Sequence, residues 1–514
     1  MKSIRLVNIR SLVDSGSVRI VFITVLVGQN SSGKSTFARF FPLLRQSSEV
    51  LAREPLLWFG RFVDFGSAEE AASRVGASGG PGFDVTFDVD RVSINTKRRG
   101  LFTYRTSQTK EVAPVTATVR YLSMQSERRQ LEFGLSFLET AVSLQINDVA
   151  VVKLLINGSD YTEAIQGRLY AGNWSACFPN LLFRDESAPD TDPFTRLIAG
   201  FVRANTHGKS QDDRIARLTR SIVSLPLEHL LQNLKNPSGA DSMWHRNTFG
   251  WTESTPAFKR LRDWIVGSRL SELFQIAGGT FNTQCSQVRY ITPIRASAER
   301  YYRRQGLALG EIDPQGQNVA MFLHNLSPSE KQRFISWMGD HFGYTVDTVA
   351  TSGHISMVIR DASDQTGASP INLADTGFGF SQMVPILMQI WSAMTLRGGA
   401  LRASAMTTTV IAIEQPELHL HPRLQAILAD LFIQAVKLAK ENGIDLRLVI
   451  ETHSEQMINR LGRRVSESAL LEEDVAVVLF DKPKFAVPTD VKVTGFDNEG
   501  FITDWPYGFF EASN

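Results

Sequence analysis

The stretch Val21-Phe22-Ile23-Thr24-Val25-Leu26-Val27 has the pattern of a buried strand and runs straight into Gly28-Gln29-Asn30-Ser31-Ser32-Gly33-Lys34-Ser35-Thr36. A glycine, four residues and then Gly-Lys-Ser, set between a strand and a helical pattern, is the spacing of a phosphate-binding P-loop. Gly28 and Gly33 let the backbone curl so that successive N–H groups face one concavity, and the next helix adds its N-terminal partial positive charge. Lys34 is placed to reach β- and γ-phosphates, and Ser35 to ligate Mg²⁺. A chance glycine/serine turn is the bland alternative, but it does not explain why strand, loop and helix all occur together. Such a unit commits the chain to an α/β core.

The rest of the composition constrains partners more than fold. The 514 residues suggest about three domain-sized units. With 54 basic and 53 acidic residues, no global charge draws the chain to nucleic acid or membrane, so any such binding must be local. Cys177 and Cys285 are the only cysteines and lie far apart, which argues against a disulfide framework and fits a reducing cytoplasm. No apolar run is long enough to span a bilayer, and Met1-Lys2-Ser3-Ile4-Arg5 is strand-like, unlike a signal peptide. The expectation is a cytoplasmic protein with no membrane partner.

Residues 2–9 alternate polar and apolar, and a strand resumes at Val18 after a turn at 14–17. The helix opened by Ser35 buries Phe37, Phe40, Phe41 and Leu44, and Pro42 is expected to kink or shorten it. Residues 83–90 and 91–95 read as two half-buried strands, and alternation at 115–123 and 130–134 extends a β-rich lobe within 1–150. Residues 151–288 read as a mainly helical insertion, with periodicity at 194–202 and 213–225. There the basic run Arg203, Lys209, Arg214, Arg217, Arg220 reads as a solvated helix face. Trp244, Trp251 and Trp264 among Arg246, Lys259, Arg260 and Arg262 suit a nucleic-acid surface, but such tryptophans are more often core or a partner interface. The cluster Arg295, Arg300, Tyr301, Tyr302, Arg303, Arg304 suits either phosphate contact or structural ion pairs.

A second glycine-bearing turn, Asp375-Thr376-Gly377-Phe378-Gly379-Phe380-Ser381-Gln382, precedes a helix expected over 383–396, with Pro385 in its first turn and Arg397-Gly398-Gly399 closing it. A β-branched strand at 407–413 ends on Glu414-Gln415-Pro416-Glu417-Leu418-His419-Leu420-His421-Pro422, and another at 446–450 ends on Glu451-Thr452-His453-Ser454. Glu414, at the end of a buried strand, is where α/β folds place Mg²⁺-linked carboxylates. His419 and His421 invite a zinc reading, but alternate residues of an extended turn diverge and no further ligand set accompanies them.

Taken in order, these stretches resemble the ABC-type ATPase heads of the SMC and RecF kind: an α/β, P-loop NTPase core with a β-rich lobe, here carrying the helical insertion. The resemblance makes Gly28, Gln29, Asn30, Ser31, Ser32, Gly33, Lys34, Ser35 and Thr36 the Walker A residues that bind ATP. Gly377, Gly379, Ser381 and Gln382 become the signature, Ile413 to Glu417 Walker B, Leu418 to Pro422 the D-loop and His453 the switch histidine. It implies Mg²⁺ at Ser35 and Glu414, a C-terminal ATPase lobe over 289–480, and a head-to-tail homodimer or higher oligomer holding two ATP. The insertion lacks sustained heptads, so no long coiled coil is expected.

The element 481–514, with Val491-Lys492-Val493-Thr494-Gly495-Phe496 and Asp504-Trp505-Pro506-Tyr507-Gly508-Phe509-Phe510, resembles a bacterial subgroup that includes the ATPase subunits of Septu and retron-linked anti-phage systems. That resemblance implies an HNH-type nuclease partner and contact with nucleic acid or a retron ribonucleoprotein. The overcoming-lysogenisation-defect nucleases carry a similar head with a Toprim domain. About sixty residues follow His453, too few for one, so a partner is expected to cut.

One departure bears on mechanism. Such heads end Walker B on an Asp-Glu pair, and here the pair is Glu414-Gln415. Gln415 can orient a water but cannot accept its proton. The expectation is slow hydrolysis, a long-lived ATP-bound dimer, and Glu417 or His453 assisting. The rival readings are a DNA-repair ATPase acting directly on DNA, and a nucleotide-gated scaffold that does not hydrolyse.

Overall fold

The computed structural model describes the whole chain except residues 76–78, 96–110, 124–128, 185–191, 208–210, 307–308, 365–368, 396–407, 483, 485–486 and 505–514. The helix-closing Arg397-Gly398-Gly399, Lys209 and the aromatic tail at 505–510 lie outside the described residues. No helix among them is long and apolar enough to cross a membrane.

The P-loop strand, Ile23–Gly28, is buried along its whole length. It lies inside a six-stranded sheet, between Asp445–Glu451 on one side and Val475–Asp481 on the other, parallel to both. Beyond Asp445–Glu451 come Thr408–Glu414 and Val288–Ile291, also parallel, and Asp490–Thr494 closes the opposite edge antiparallel. Parallel strands need cover on both faces, and the alternation of side chains supplies it. Leu26, Val410, Ala412 and Val449 point into a core with the helix Lys34–Ser48. Val25, Ile411, Ile413 and Ile450 point into another, with Phe378–Thr395 and Pro422–Glu441.

Ser3–Ile9 leads out of this core into an antiparallel sheet of eleven strands among the described residues. Gly82–Asp90 pairs with Ser3–Ile9 (Ile4 opposite Val85) and with Val112–Ser123. The sheet then continues through Gln130–Phe137, Thr140–Asn147 and Ala150–Ile156 to Leu169–Ser175 and Phe178–Phe183. The first thirty or so residues of the expected insertion are therefore mainly strand, with a single short helix at Thr162–Ile165. Their hairpins were hidden because several turn without glycine: Ala176 and Cys177, and likewise Leu138 and Glu139, take the left-handed conformation themselves.

Residues Arg91–Asn95, expected as a strand, form a short helix. Buried Arg269 donates to the carbonyls of Ile94 and Asn95 at 3.2 and 2.9 Å, satisfying helix-end acceptors that a local pattern cannot reveal. Two prolines also depart from expectation. The helix Lys34–Ser48 runs on through Pro42, held across the missing bond to Ala38 by burial of Phe37, Phe40, Phe41, Leu43 and Leu44. The helix Phe378–Thr395 starts five residues earlier than expected, so Pro385 lies in its interior. Its ring packs on Gly316, where a Cβ would come within 2.6 Å of it.

Helices Pro193–Asn205, Asp212–Val223, Ser242–Thr248 and Pro256–Ser268 gather a third core around Ile198, Leu218, Ile222 and Leu261. Trp244 is fully buried there, its indole N–H donating to the Leu234 carbonyl at 2.9 Å, and Trp251 is buried beside it. These tryptophans are core, not a stacking surface for bases.

Candidate functional site

The loop after Ile23–Gly28 folds tightly because its glycines have no room for a side chain. A Cβ on Gly28 would lie 2.3 Å from the Phe480 carbonyl, and one on Gly33, at φ +104°, would lie 2.5 Å from the Ser11 hydroxyl. The Ser32 carbonyl accepts from Thr489 at 2.7 Å, fastening the loop from behind. Gln29, Asn30 and Ser31 face solvent, whereas Ser32, Lys34 and Thr36 are buried. The Lys34 ammonium donates to the carbonyls of Gly28 and Gln29 at 2.9 and 2.7 Å. Burial lowers its pKa, against the pull of Glu451 and Glu417. A cavity of about 260 Å³ opens here, lined among others by Arg10, Asn30, Lys34, Ser35, Gln415 and Glu451.

Strand register decides which carboxylate meets this cavity. Leu26 pairs with Glu451, and Glu451 pairs with Glu414, so Glu451 stands one strand nearer the P-loop. The Ser35 hydroxyl donates to Glu451 Oε1 at 2.8 Å. Glu451 Oε2 is buried with no hydrogen-bond partner. Burial first, and then the charge of Glu414, push the Glu451 carboxyl up to about 7.

Glu414 is differently engaged. Arg39 Nε and Nη2 donate to its two oxygens, each at 2.8 Å, and the Tyr290 hydroxyl donates to Oε1 at 2.6 Å. The hydrogen bond to Glu414 holds the Arg39 guanidinium above its ordinary range. Arg39, Tyr290 and Glu451 were not among the site residues read from the sequence. Two signals existed: Glu451 ends its strand just as Glu414 does, and Arg39 follows Ser35 by four positions on one helix face. Ser35 Oγ and the unpartnered Glu451 Oε2 are hard oxygen donors beside a phosphate loop, a set that fits Mg²⁺.

Gln415 has left-handed backbone (φ 42°) and donates its N–H to the Glu451 carbonyl at 2.8 Å, which turns its side chain onto the cavity wall. Glu417 is buried and accepts from the His453 N–H at 2.7 Å, and its second oxygen has no partner. Burial raises the Glu417 pKa. The His453 pKa is lowered, by burial first and then by the charge of Lys34.

Two arginines of the basic cluster have partners within the chain. Arg295 is 3% exposed and donates to the carbonyls of Thr292 and Gln415 at 3.0 and 3.3 Å; burial brings its pKa down to about 10. Arg300 pairs with Asp375. Both make structural contacts within the chain.

The signature stretch does not reach the cavity of its own chain. Ser381 is buried with its hydroxyl donating to the Phe378 carbonyl at 2.7 Å, and Gln382 donates to the Arg295 carbonyl at 3.2 Å. Gly377 and Phe378 form the exposed end of the helix. Gly379 packs under the His419 carbonyl, and Phe378 meets the His419 ring edge-on at 4.8 Å. His421 caps the next helix by accepting from the Arg423 N–H at 3.3 Å. The two histidines thus serve separate local contacts.

No curated protein matches the chain. Among solved structures, the SMC head domain from Thermotoga maritima aligns over 96% of this chain and 97% of that chain, at 11% identity and a TM-score of 0.28. Residues 318–458 match the family described as AAA ATPase domain, a segment that holds the signature stretch, Glu414, Gln415, Glu417, Glu451 and His453 but not the P-loop. The chain is an α/β protein whose P-loop joins a buried strand of a mainly parallel sheet to a helix, and over residues 318–458 it is similar to AAA ATPases.

Proposed function

We propose that this protein binds ATP with Mg²⁺ and hydrolyses it slowly, as a head-to-tail homodimer in which each signature stretch completes the other subunit's nucleotide site. The observation that carries the reading is the cavity beside Lys34 and Ser35, with Gln415 on its wall. Backbone N–H groups of residues 28–36 cradle the phosphates, and Lys34 exchanges its two carbonyl partners for β- and γ-oxygens. Mg²⁺ would be held by Ser35 with a strand-end carboxylate, and when bound it neutralises charge developing on the transferred phosphoryl group.

Gln415 orients the attacking water without taking its proton, and Glu417 and His453, joined through the His453 N–H, support that position. Gly377 is exposed at the start of its helix, and none of residues 377–382 lines the chain's own cavity, which supports completion in trans. For Ser381 and Gln382 to donate to nucleotide, Ser381 must release the Phe378 carbonyl and Gln382 that of Arg295.

The dimer would act as a switch on a nuclease or toxin partner in anti-phage defence, a role that rests on the resemblance of the C-terminal element to Septu-type subunits. Burial of Trp244 and Trp251 removes one surface on which direct action on DNA could rest. Gln415 favours, as second reading, a nucleotide-gated scaffold. Steady-state ATPase measurement together with light scattering with and without ATP, using Lys34→Ala as control, tests the proposal. ATP-dependent dimers with slow turnover are expected. Fast turnover by the protein alone would end the slow-switch reading, and dimers with no product after single-turnover incubation would leave only the scaffold.

A further inference from the structure

Two strand-end carboxylates, Glu414 and Glu451, and Glu417 in the turn after Glu414 are the candidate acids near the nucleotide site, and their surroundings separate them. Glu414, the one that its position in the motif marks for Mg²⁺, is saturated: Arg39 takes both oxygens and Tyr290 takes Oε1 again. Recruiting it to a cation would require breaking a two-pronged ion pair at a residue 1% exposed. Glu417 has a free oxygen but does not line the cavity. Glu451 alone lines the cavity, touches Ser35 and keeps one buried oxygen without a partner.

A buried carboxylate oxygen left unpaired costs free energy, and a native fold that keeps one beside a phosphate loop has a use for it. Resting on the ATP-binding reading above, we propose that Glu451, rather than Glu414, is the carboxylate that meets the Mg²⁺ of the bound nucleotide, while Glu414 is the fixed counter-ion that anchors Arg39 and the P-loop helix. The Ser35 hydroxyl can keep donating to Glu451 Oε1 while its lone pairs face the cation, so the hydrogen bond already present becomes the frame of the metal site. Strand order makes this assignment possible: the strand carrying Glu451 lies between the P-loop strand and the strand carrying Glu414.

The test uses the full chain and three variants, Glu451→Gln, Glu414→Gln and Lys34→Ala. Affinity for a fluorescent ATP analogue is measured in excess Mg²⁺ and in EDTA, and Mn²⁺ bound in the presence of nucleotide is read by electron paramagnetic resonance. Glu451→Gln is expected to lose about tenfold or more of the affinity that Mg²⁺ adds, and the bound-Mn²⁺ signal, while binding in EDTA is unchanged. Glu414→Gln is expected to keep both while melting at lower temperature. Loss of the metal effect in Glu414→Gln, alone or equally with Glu451→Gln, would overturn the assignment and leave ATP binding standing. Absence of nucleotide binding by the unmodified protein under both conditions would instead overturn the ATP reading beneath it. If Glu451→Gln does not fold, Glu451→Asp, with its shorter reach, replaces it and is expected to weaken the Mg²⁺ effect in the same assay; an unchanged effect there counts against the proposal.

Discussion

Arg39 and Glu414 meet fork to fork, two 2.8 Å hydrogen bonds joining the P-loop helix to a strand 375 residues further along the chain. Removing a partner from a buried pair leaves an uncompensated charge, at a cost of about 3–5 kcal/mol when both are enclosed. Arg39 is about a third exposed, so Arg39→Met should cost roughly 2–3 kcal/mol. Urea unfolding checks this, and Arg39→Met combined with Glu414→Gln should cost less than the two single changes added together.

Lys34→Ala should leave the fold intact, because its folded-state partners are two loop carbonyls. Nucleotide affinity should fall by roughly 10- to 100-fold, the worth of a charge-assisted contact to phosphate. Calorimetric titration alongside a thermal melt separates the two effects.

Gln415→Glu places a proton acceptor on the cavity wall at the position where Gln415 can only orient a water. Its backbone bond to the Glu451 carbonyl needs no side chain, so the turn should persist. Single-turnover hydrolysis should accelerate by about tenfold or more, toward the range of a positioned general base. Unchanged turnover would show that proton transfer to this position is not limiting.

Trp244→Ala should destabilise the helical unit by about 3–5 kcal/mol through the cavity it leaves and the lost bond to Leu234. The milder Trp244→Phe should fold and leave any nucleic-acid binding, measured by mobility shift, unaltered. A drop in binding by that folded variant would return the tryptophans to a recognition role.

Asp430 accepts from Arg460 and Arg464, each at 2.7 Å, tying the helix Glu455–Ser466 to Pro422–Glu441. Burial works to raise its pKa, but the two arginines outweigh it and hold the carboxyl below its ordinary 3.8. A depressed carboxylate contributes stability above its unfolded pKa and loses it as pH falls through the folded value. Asp430→Asn should therefore cost roughly 1–3 kcal/mol at neutral pH, and the gap from the unmodified protein should close as pH falls below the ordinary carboxylate range and through the depressed folded value. Denaturant midpoints at stepped pH values follow it.

The parts of the site that were legible in the sequence are those written as local spacing. Glycines at 28 and 33 and the Lys-Ser pair announce a backbone conformation, and the structure has it. Strand ends at Glu414 and Glu451 were equally visible, because β-branched runs stop at them. What spacing cannot carry is partnership across hundreds of residues. That Arg39 would occupy Glu414, or that Ser35 would reach Glu451, follows only from strand order. Local rules failed in the opposite way at Ala176 and Cys177, where tertiary pairing imposed a left-handed turn on residues that do not favour it. Arg269 reaching the end of Arg91–Asn95 is another long-range satisfaction with no local trace.

The place of Ile23–Gly28 within its sheet sets a schedule for synthesis. Its neighbours are made from residues 445–451 and 475–481, and the Ser35 to Glu451 contact spans 416 residues. At ribosomal rates of about 5–20 residues per second, that is roughly 20–80 s during which an apolar strand waits without partners. A nascent chain therefore cannot hold nucleotide with the frame described here, and chaperone dependence of yield should track the first four hundred residues, not the last fifty.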